Sequence, residues 1–191
     1  MALLAWSAPS IAHAHLVNSG VGPFYDGAIH LLLSPTDVIR LIALSLLAGA
    51  QRPASARAIV LAAPIALFLT SLAGQSLGTT GTLEIVNRAA LFLIGAAIAA
   101  DLQLPPRFAI PVAAAYGGLF GFQNGIEIQV DDAGLITLLG TTAVATSIIV
   151  VATALVVSAT AFPLRVACRV LGSWTAAVGL LSLGWVIARQ G

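Results

Sequence analysis

FYDGAIHLLLSPTDVIRLIALSLLAG, residues 24–49, joins a polar segment to an apolar one. The first part carries Asp26, His30, Asp37 and Arg40, in a chain that has only three histidines. The second part is a predominantly apolar run of the kind that enters a membrane. Charged groups beside such a run are costly unless they are paired or functional. The stretch therefore predicts a membrane helix that begins beside a polar site.

The composition extends this prediction to the whole chain. Of its 191 residues, 59% are hydrophobic and 8% are charged, against about 25% charged in an ordinary soluble domain. A soluble fold of this size would expose much of that apolar surface to water. We therefore predict an all-α integral membrane protein with one compact helical bundle. The net charge of +1 provides no electrostatic footprint for nucleic acid.

Six apolar spans follow the polar segment. A membrane-spanning helix needs about 20 residues. The predicted spans are 36–51, 57–75, 84–101, 107–126, 134–160 and 166–188. The chain is accordingly divided into a signal peptide at 1–14, an outward-facing interfacial segment at 15–35 and a six-helix transmembrane domain at 36–191.

The signal peptide is predicted from an apolar run that ends in Ala12-His13-Ala14, which is similar to an A-x-A cleavage site. No Lys or Arg precedes the run, so an uncleaved apolar segment is the alternative. Cleavage would make His15 the N-terminal residue. Its amine and imidazole would then be able to chelate a transition metal.

The charges predict an orientation. If the spans alternate, five arginines fall on one side of the membrane: Arg52, Arg57, Arg107, Arg165 and Arg169. The positive-inside rule makes that side cytoplasmic and places the mature N-terminus outside. Six acids map to the outer side: Asp26, Asp37, Glu84, Glu127, Asp131 and Asp132.

Two pairs in the opening stretch have a structural and a functional interpretation. Asp26 and His30 are i,i+4 on a short interfacial helix, where a carboxylate can orient an imidazole for metal binding. The alternative is an amphipathic segment at the lipid headgroups. Asp37 completes a capping box with Ser34, and it is also an i,i+3 partner for Arg40. Capping and metal binding place Asp37 at the same helix end.

The fourth span contains a glycine stripe and a polar end. Gly117, Gly121 and Gly125 recur every four residues, which predicts close helix packing. Gln123 and Glu127 share a face beyond them, with Asn124 beside them. Glu127 lies at a helix C-terminus, where the helix dipole disfavours an acid. Because capping does not explain Glu127, we predict that it is the strongest candidate for a functional residue. The alternative is that Glu127 lies in a surface loop.

Two motifs resemble the HupE/UreJ family of hydrogenase and urease accessory membrane proteins. GPFYDGAIHLLLSPTDVIRLIALSLLAG is similar to the family's start, a G-x-x-H element followed by a first helix. GLFGFQNGIE is similar to its second signature, a glycine-rich helix with Phe, a polar residue, Gly and an acid. The resemblance covers residues 12–188. It implies nickel or cobalt uptake for metalloenzyme maturation, in a bacterial inner (plasma) membrane.

The resemblance carries over to individual residues with two departures. His30 matches the first family histidine, and Glu127 matches the acid of the second signature. Thr36-Asp37 stands where the family has Asp-His. Asn124-Gly125 stands where it has His-Gly. These departures indicate a divergent branch of the family, which lacks two of the imidazole donors that nickel favours.

Two functions of different classes are therefore predicted. The first is a transition-metal permease or metal-handling accessory protein with no permanently bound cofactor. Its metal residues would be His30, Asp26, Asp37, Glu127 and His15, supported by Asn124, Gln123, Glu84 and Arg40. The second is a non-transporting scaffold that assembles through its glycine faces, as a homo-oligomer or with maturation proteins. No GxSxG or HExxH motif favours an enzyme.

Overall fold

The computed structural model describes residues 20–77, 83–128, 134–158 and 162–190. Within these ranges the chain forms seven helices and no strand, which confirms the all-α prediction. In chain order they are α1 (Pro23–Leu33), α2 (Pro35–Ala50), α3 (Pro53–Leu77), α4 (Leu83–Ala99), α5 (Pro106–Glu127), α6 (Gly134–Ser158) and α7 (Phe162–Gln190). The predicted signal peptide and His15 lie outside the described residues, as do Asp131 and Asp132.

Prolines mark the starts of several helices. Proline suits the first helical turn, because its missing N–H would have no intrahelical partner there. The helices that begin in this way start at Pro23, Pro35, Pro53 and Pro106. Ser34 precedes α2 as predicted, but its side chain makes no capping hydrogen bond. The expected capping box is therefore not closed by the Ser34 side chain, and the Asp37 carboxylate is paired with Arg40.

The membrane prediction is met by some of the helices. α3, α6 and α7 are each long and apolar enough to cross a membrane. α1 and α2 meet at an angle of 80°, and together they have the length and composition of one broken span or a re-entrant loop. α4 has 17 residues and is short for a span. That the chain crosses the membrane six times therefore stays a prediction.

The glycine stripe of α5 lies against α3 within the same chain. A side chain at any of its three glycines would overlap the α3 backbone. The facing residues, in order along α3, are Ala63, Leu67 and Ser71. Ser71 also donates a hydrogen bond of 2.8 Å to the carbonyl of Gly121. Small residues therefore allow these two helices the close approach that the stripe predicts.

A second glycine contact fixes α1 on α6. Gly27 lies against the backbone of Thr137, and Gly140 lies against the backbone of Phe24. The Thr141 hydroxyl donates to the Gly27 carbonyl at 3.1 Å. These contacts hold the first two turns of α1 against α6, one turn before the buried His30.

The helices carry two polar ends that face in opposite directions. We call the first the histidine end, where α2 and α4 begin and α5 ends. It contains His30, Asp37, Arg40, Glu84, Gln123 and Glu127. We call the second the arginine end, where α2 and α4 end and α3, α5 and α7 begin. It contains Arg52, Arg57, Arg107, Arg165 and Arg169.

Candidate functional site

The histidine end brings His30 and Glu127 together from helices far apart in the sequence. His30 is 7% exposed on α1, and Glu127 is the last residue of α5. His30 Nε2 lies 3.8 Å from Glu127 Oε2, just beyond hydrogen-bond distance, and has no hydrogen-bond partner. The Glu127 side chain is 44% exposed. A buried imidazole nitrogen thus faces a carboxylate that reaches the surface.

A buried ion pair lies beside these two groups. Asp37 and Arg40 are 5% and 3% exposed, and Arg40 NH1 donates to Asp37 Oδ1 at 3.1 Å. Arg40 NH2 donates to Gln123 Oε1, also at 3.1 Å. The i,i+3 pairing expected from the sequence is present. Because both charges are removed from solvent, each depends on the other for stabilisation.

Gln123 connects the ion pair to the His30–Glu127 pair. Its amide oxygen accepts from Arg40, and its Nε2 donates to Glu127 Oε1 at 3.1 Å. One chain of contacts therefore runs from Asp37 through Arg40 and Gln123 to Glu127, and then to His30. All five residues of this network are among those that the sequence predicted for the site.

Two aromatic residues of α5 complete the surroundings of Arg40. The guanidinium carbon lies 5.7 Å from the centre of the Phe120 ring, within cation–π range. The Tyr116 hydroxyl donates to the Arg40 carbonyl at 3.4 Å. Neither residue was among the site residues predicted from the sequence. The signal was their spacing, because Tyr116, Phe120, Gln123 and Glu127 recur every three or four residues on one helix face.

Asn124 occupies the position where the family pattern has a histidine. It is 2% exposed, and neither its amide nitrogen nor its amide oxygen has a hydrogen-bond partner. A buried amide without partners costs about 1–3 kcal/mol, which a bound ligand with matching groups would recover. Asn124 is therefore buried at the level of the site rather than exposed on its surface.

Glu84 lies at the rim of the same end. It pairs with Arg88 at 3.3 Å in the predicted i,i+4 arrangement, and its side chain is 48% exposed. A pocket of about 230 Å³ between α4 and α5 is lined by Glu84, Gln123 and Glu127, with apolar walls from Leu83 and Ile126. The Glu84 and Glu127 side chains therefore line the same pocket.

The two other predicted metal residues, Asp26 and His15, are not part of this network. Asp26 lies one helical turn before His30 on α1, is partly exposed and makes a polar contact of its own. His15 lies outside the described residues. Within the described ranges, no three His, Cys, Asp or Glu side chains are arranged to hold one metal ion. The structure therefore unites His30 and Glu127, while Asp37 is engaged by Arg40.

Buried polar atoms without partners are concentrated in this half of the molecule. In the described part of the chain they belong to His30, Arg40, Gln75, Arg88, Asn124 and Thr142. These residues lie in α1, in the N-terminal parts of α2, α4 and α6, or in the C-terminal parts of α3 and α5. Native proteins leave few such atoms unpaired, so this end holds buried polar groups that a ligand could satisfy.

Comparison with known proteins agrees with the two sequence motifs. The family model described as HupE / UreJ protein matches residues 1–182. The chain belongs to the HupE/UreJ family. Membership implies, in general, a nickel or cobalt accessory or permease role, and the HupE/UreJ family is not one of known enzymes. No curated protein and no solved structure gives a significant match to the chain.

Proposed function

We propose that this HupE/UreJ protein captures a divalent transition-metal ion at its histidine end and passes it across a bacterial inner membrane. The metal is cargo, delivered for the maturation of a metalloenzyme. His30 and Glu127 are the first ligands, with Asp37, Asp26 and His15 as further donors and Asn124, Gln123 and Glu84 in support. The sequence carries no ATP-binding motif, so movement is passive or is coupled elsewhere.

The His30–Glu127 distance is the observation that supports this function best. Imidazole nitrogen and carboxylate oxygen each bind such metals at about 2.0–2.2 Å, so two donors on one ion lie about 3–4 Å apart. The observed separation of 3.8 Å fits this range without rearrangement of the helices. The His30 nitrogen is buried, and it faces the Glu127 carboxylate, the second proposed ligand.

The membrane arrangement proposed here has α2–α7 as the crossing helices and α1 at the outer face. The segregation of five arginines to one end supports a cytoplasmic location for that end. The histidine end then faces outward, where the ion is captured. An outward N-terminus agrees with the predicted signal peptide at residues 1–14.

The scaffold alternative has less support from the packing. Gly117, Gly121 and Gly125 are buried against α3 of the same chain. They therefore offer no surface for a second copy or for a maturation protein. Assembly through these glycines would require α3 and α5 to separate.

Metal uptake tests the proposed function directly. Cells or liposomes containing His30→Ala or Glu127→Ala should accumulate Ni²⁺ or Co²⁺ roughly tenfold or more slowly than wild type, because each change removes a ligand. Asp101→Asn is the matched control, since it removes a carboxylate at the arginine end in a left-handed conformation that Asn tolerates. Uptake that is unchanged in both variants at equal expression would exclude the proposed site.

A further inference from the structure

We propose that the arginine end binds an anionic phospholipid, with the headgroup in a basic pocket and an acyl chain in an apolar groove between α3 and α6. The headgroup pocket is lined by Arg165 and Arg169 of α7, and the groove by Val60 and Leu61 of α3 and Val150 of α6. This lipid site lies at the end opposite to the proposed metal site, and it goes beyond the proposed function.

The headgroup pocket lies among the ends of α2, α4 and α6 and the start of α7. Its volume of about 320 Å³ is within the range of about 300–1,000 Å³ for small-molecule sites. Arg165 and Arg169 are i,i+4 on α7, so they share a helix face. Asp101 is the one acid among the lining residues of the pocket. Two arginines and one acid give the pocket a net charge of +1, which a headgroup with one net negative charge neutralises.

Arg169 is held beside this pocket by the end of α4. Its Nε donates to the Ala99 carbonyl at 3.1 Å. A guanidinium has five N–H donors, so this single bond leaves others for a phosphate. Arg165 makes a polar contact of its own and carries the same set of donors. Two neighbouring guanidiniums suit the oxygens of a phosphate, which arginine binds through pairs of parallel hydrogen bonds.

The apolar groove adjoins the headgroup pocket. Gly49 and Val157 line both of them, and the groove has a volume of about 610 Å³. Arg57, near the start of α3, adds a further positive charge where the groove begins. Val150 precedes Val157 by two helical turns, roughly 10 Å along the α6 axis. Because α3 and α6 are both long and apolar enough to cross a membrane, the groove runs from the headgroup level toward the middle of the bilayer.

The packing of the helices leaves room for a lipid at this place. α7 packs mainly against α4, whereas α6 packs against α1, α2 and α3. The headgroup pocket lies between these two groups of helices, where α6 ends and α7 begins. Basic pockets between membrane helices are typical binding sites for anionic headgroups. A free phosphate would use the pocket alone, whereas a phospholipid supplies both the anion and the apolar chain.

Native mass spectrometry of the full-length protein tests the proposal, with equal amounts of phosphatidylglycerol and phosphatidylethanolamine as probes. Wild type should retain phosphatidylglycerol in preference. Arg165→Gln combined with Arg169→Gln should weaken its binding roughly tenfold or more, because each arginine near an anionic surface contributes about fivefold. The matched control combines Arg52→Gln with Arg107→Gln. These exposed arginines of the same end line neither the pocket nor the groove, so retention should equal that of wild type.

A second pair of variants tests the acyl chain. Ala154→Trp fills the groove and should lower the retention of phosphatidylglycerol severalfold. Leu155→Trp is the control, because Leu155 is exposed and does not line the groove. If Ala154→Trp retains the lipid as wild type does, the pocket recognises a phosphate group alone, and the lipid assignment is overturned.

The arginine variants give the other decisive outcomes. Equal retention of the two lipids by wild type would overturn the proposal, and so would equal effects of the two double-arginine variants. The second result would mean that the whole basic end, rather than the pocket, attracts the lipid. If the variant that lacks both Arg165 and Arg169 is not recovered folded, Arg165→Gln is measured instead, since it keeps the bond from Arg169 to Ala99. It should lower retention about fivefold, while Arg165→Lys, which keeps the charge, stays near wild type.

Discussion

The two ends of the molecule use buried polar side chains in different ways. At the arginine end they bond to backbone. Gln51 donates to the Leu102 carbonyl at 2.9 Å and accepts from the Leu104 N–H at 2.6 Å. Ser55 donates to the Leu104 carbonyl at 2.8 Å. These bonds give hydrogen-bond partners to backbone groups of Leu102 and Leu104, which lie in the connection between α4 and α5.

At the histidine end the polar side chains bond to one another. Arg40 bonds to Asp37 and Gln123, and Gln123 bonds to Glu127. Atoms of His30, Arg40 and Asn124 remain buried without partners. At the arginine end, by contrast, the buried polar side chains described above are satisfied by the backbone. The histidine end retains buried donors and acceptors that have no hydrogen-bond partner.

The largest expected difference between the ends concerns a buried charge. Asp37→Asn should lower the free energy of unfolding by about 3 kcal/mol or more, because it leaves the buried Arg40 cation unpaired. Thermal unfolding in detergent measures the loss. Glu84→Gln is the matched control, because it breaks the exposed pair with Arg88 and should cost less than about 1 kcal/mol. Equal losses in the two variants would contradict the distinction between a buried and a rim ion pair.

A smaller effect is expected where α5 approaches the histidine end. Gly125→Leu should cost about 1–3 kcal/mol, because its side chain must displace the α3 backbone at Ser71. Gly184→Leu is the control, since no atom of another helix lies within 4 Å of the position that its Cβ would take. The yield and melting temperature of the folded protein report the difference. If the Gly125 variant is as stable as the Gly184 variant, the close approach of α5 to α3 at Ser71 does not contribute to stability.

The smallest effect separates stability from function. Gln51→Ala should cost about 1–2 kcal/mol, because it leaves the Leu104 N–H and the Leu102 carbonyl without their partner. Metal uptake per folded molecule should stay unchanged. Gln123→Ala is the corresponding change at the histidine end, where uptake should fall. If Gln51→Ala lowers uptake as strongly as Gln123→Ala, the arginine end is not merely structural.

Some of the site could be predicted because it is local. Helix periodicity brings Asp37 to Arg40, Glu84 to Arg88 and Gln123 to Glu127 without reference to the rest of the fold. Ser34 was also a local prediction: it is the N-cap residue of α2, although its side chain does not make the hydrogen bond of a capping box. The Asp37 carboxylate is paired with Arg40, which is a strong partner for a carboxylate held out of solvent.

Sequence by itself determined the all-helical, apolar character of the protein, its family and the segregation of its charges to two ends. These properties follow from composition and short-range periodicity, which need no knowledge of which helices touch. Only the tertiary structure decided that His30 meets Glu127, that Arg40 bridges to Gln123 and that the glycine stripe faces α3. Such contacts depend on which helix faces pack together, and in a chain with apolar residues on nearly every face the sequence pattern leaves that choice open.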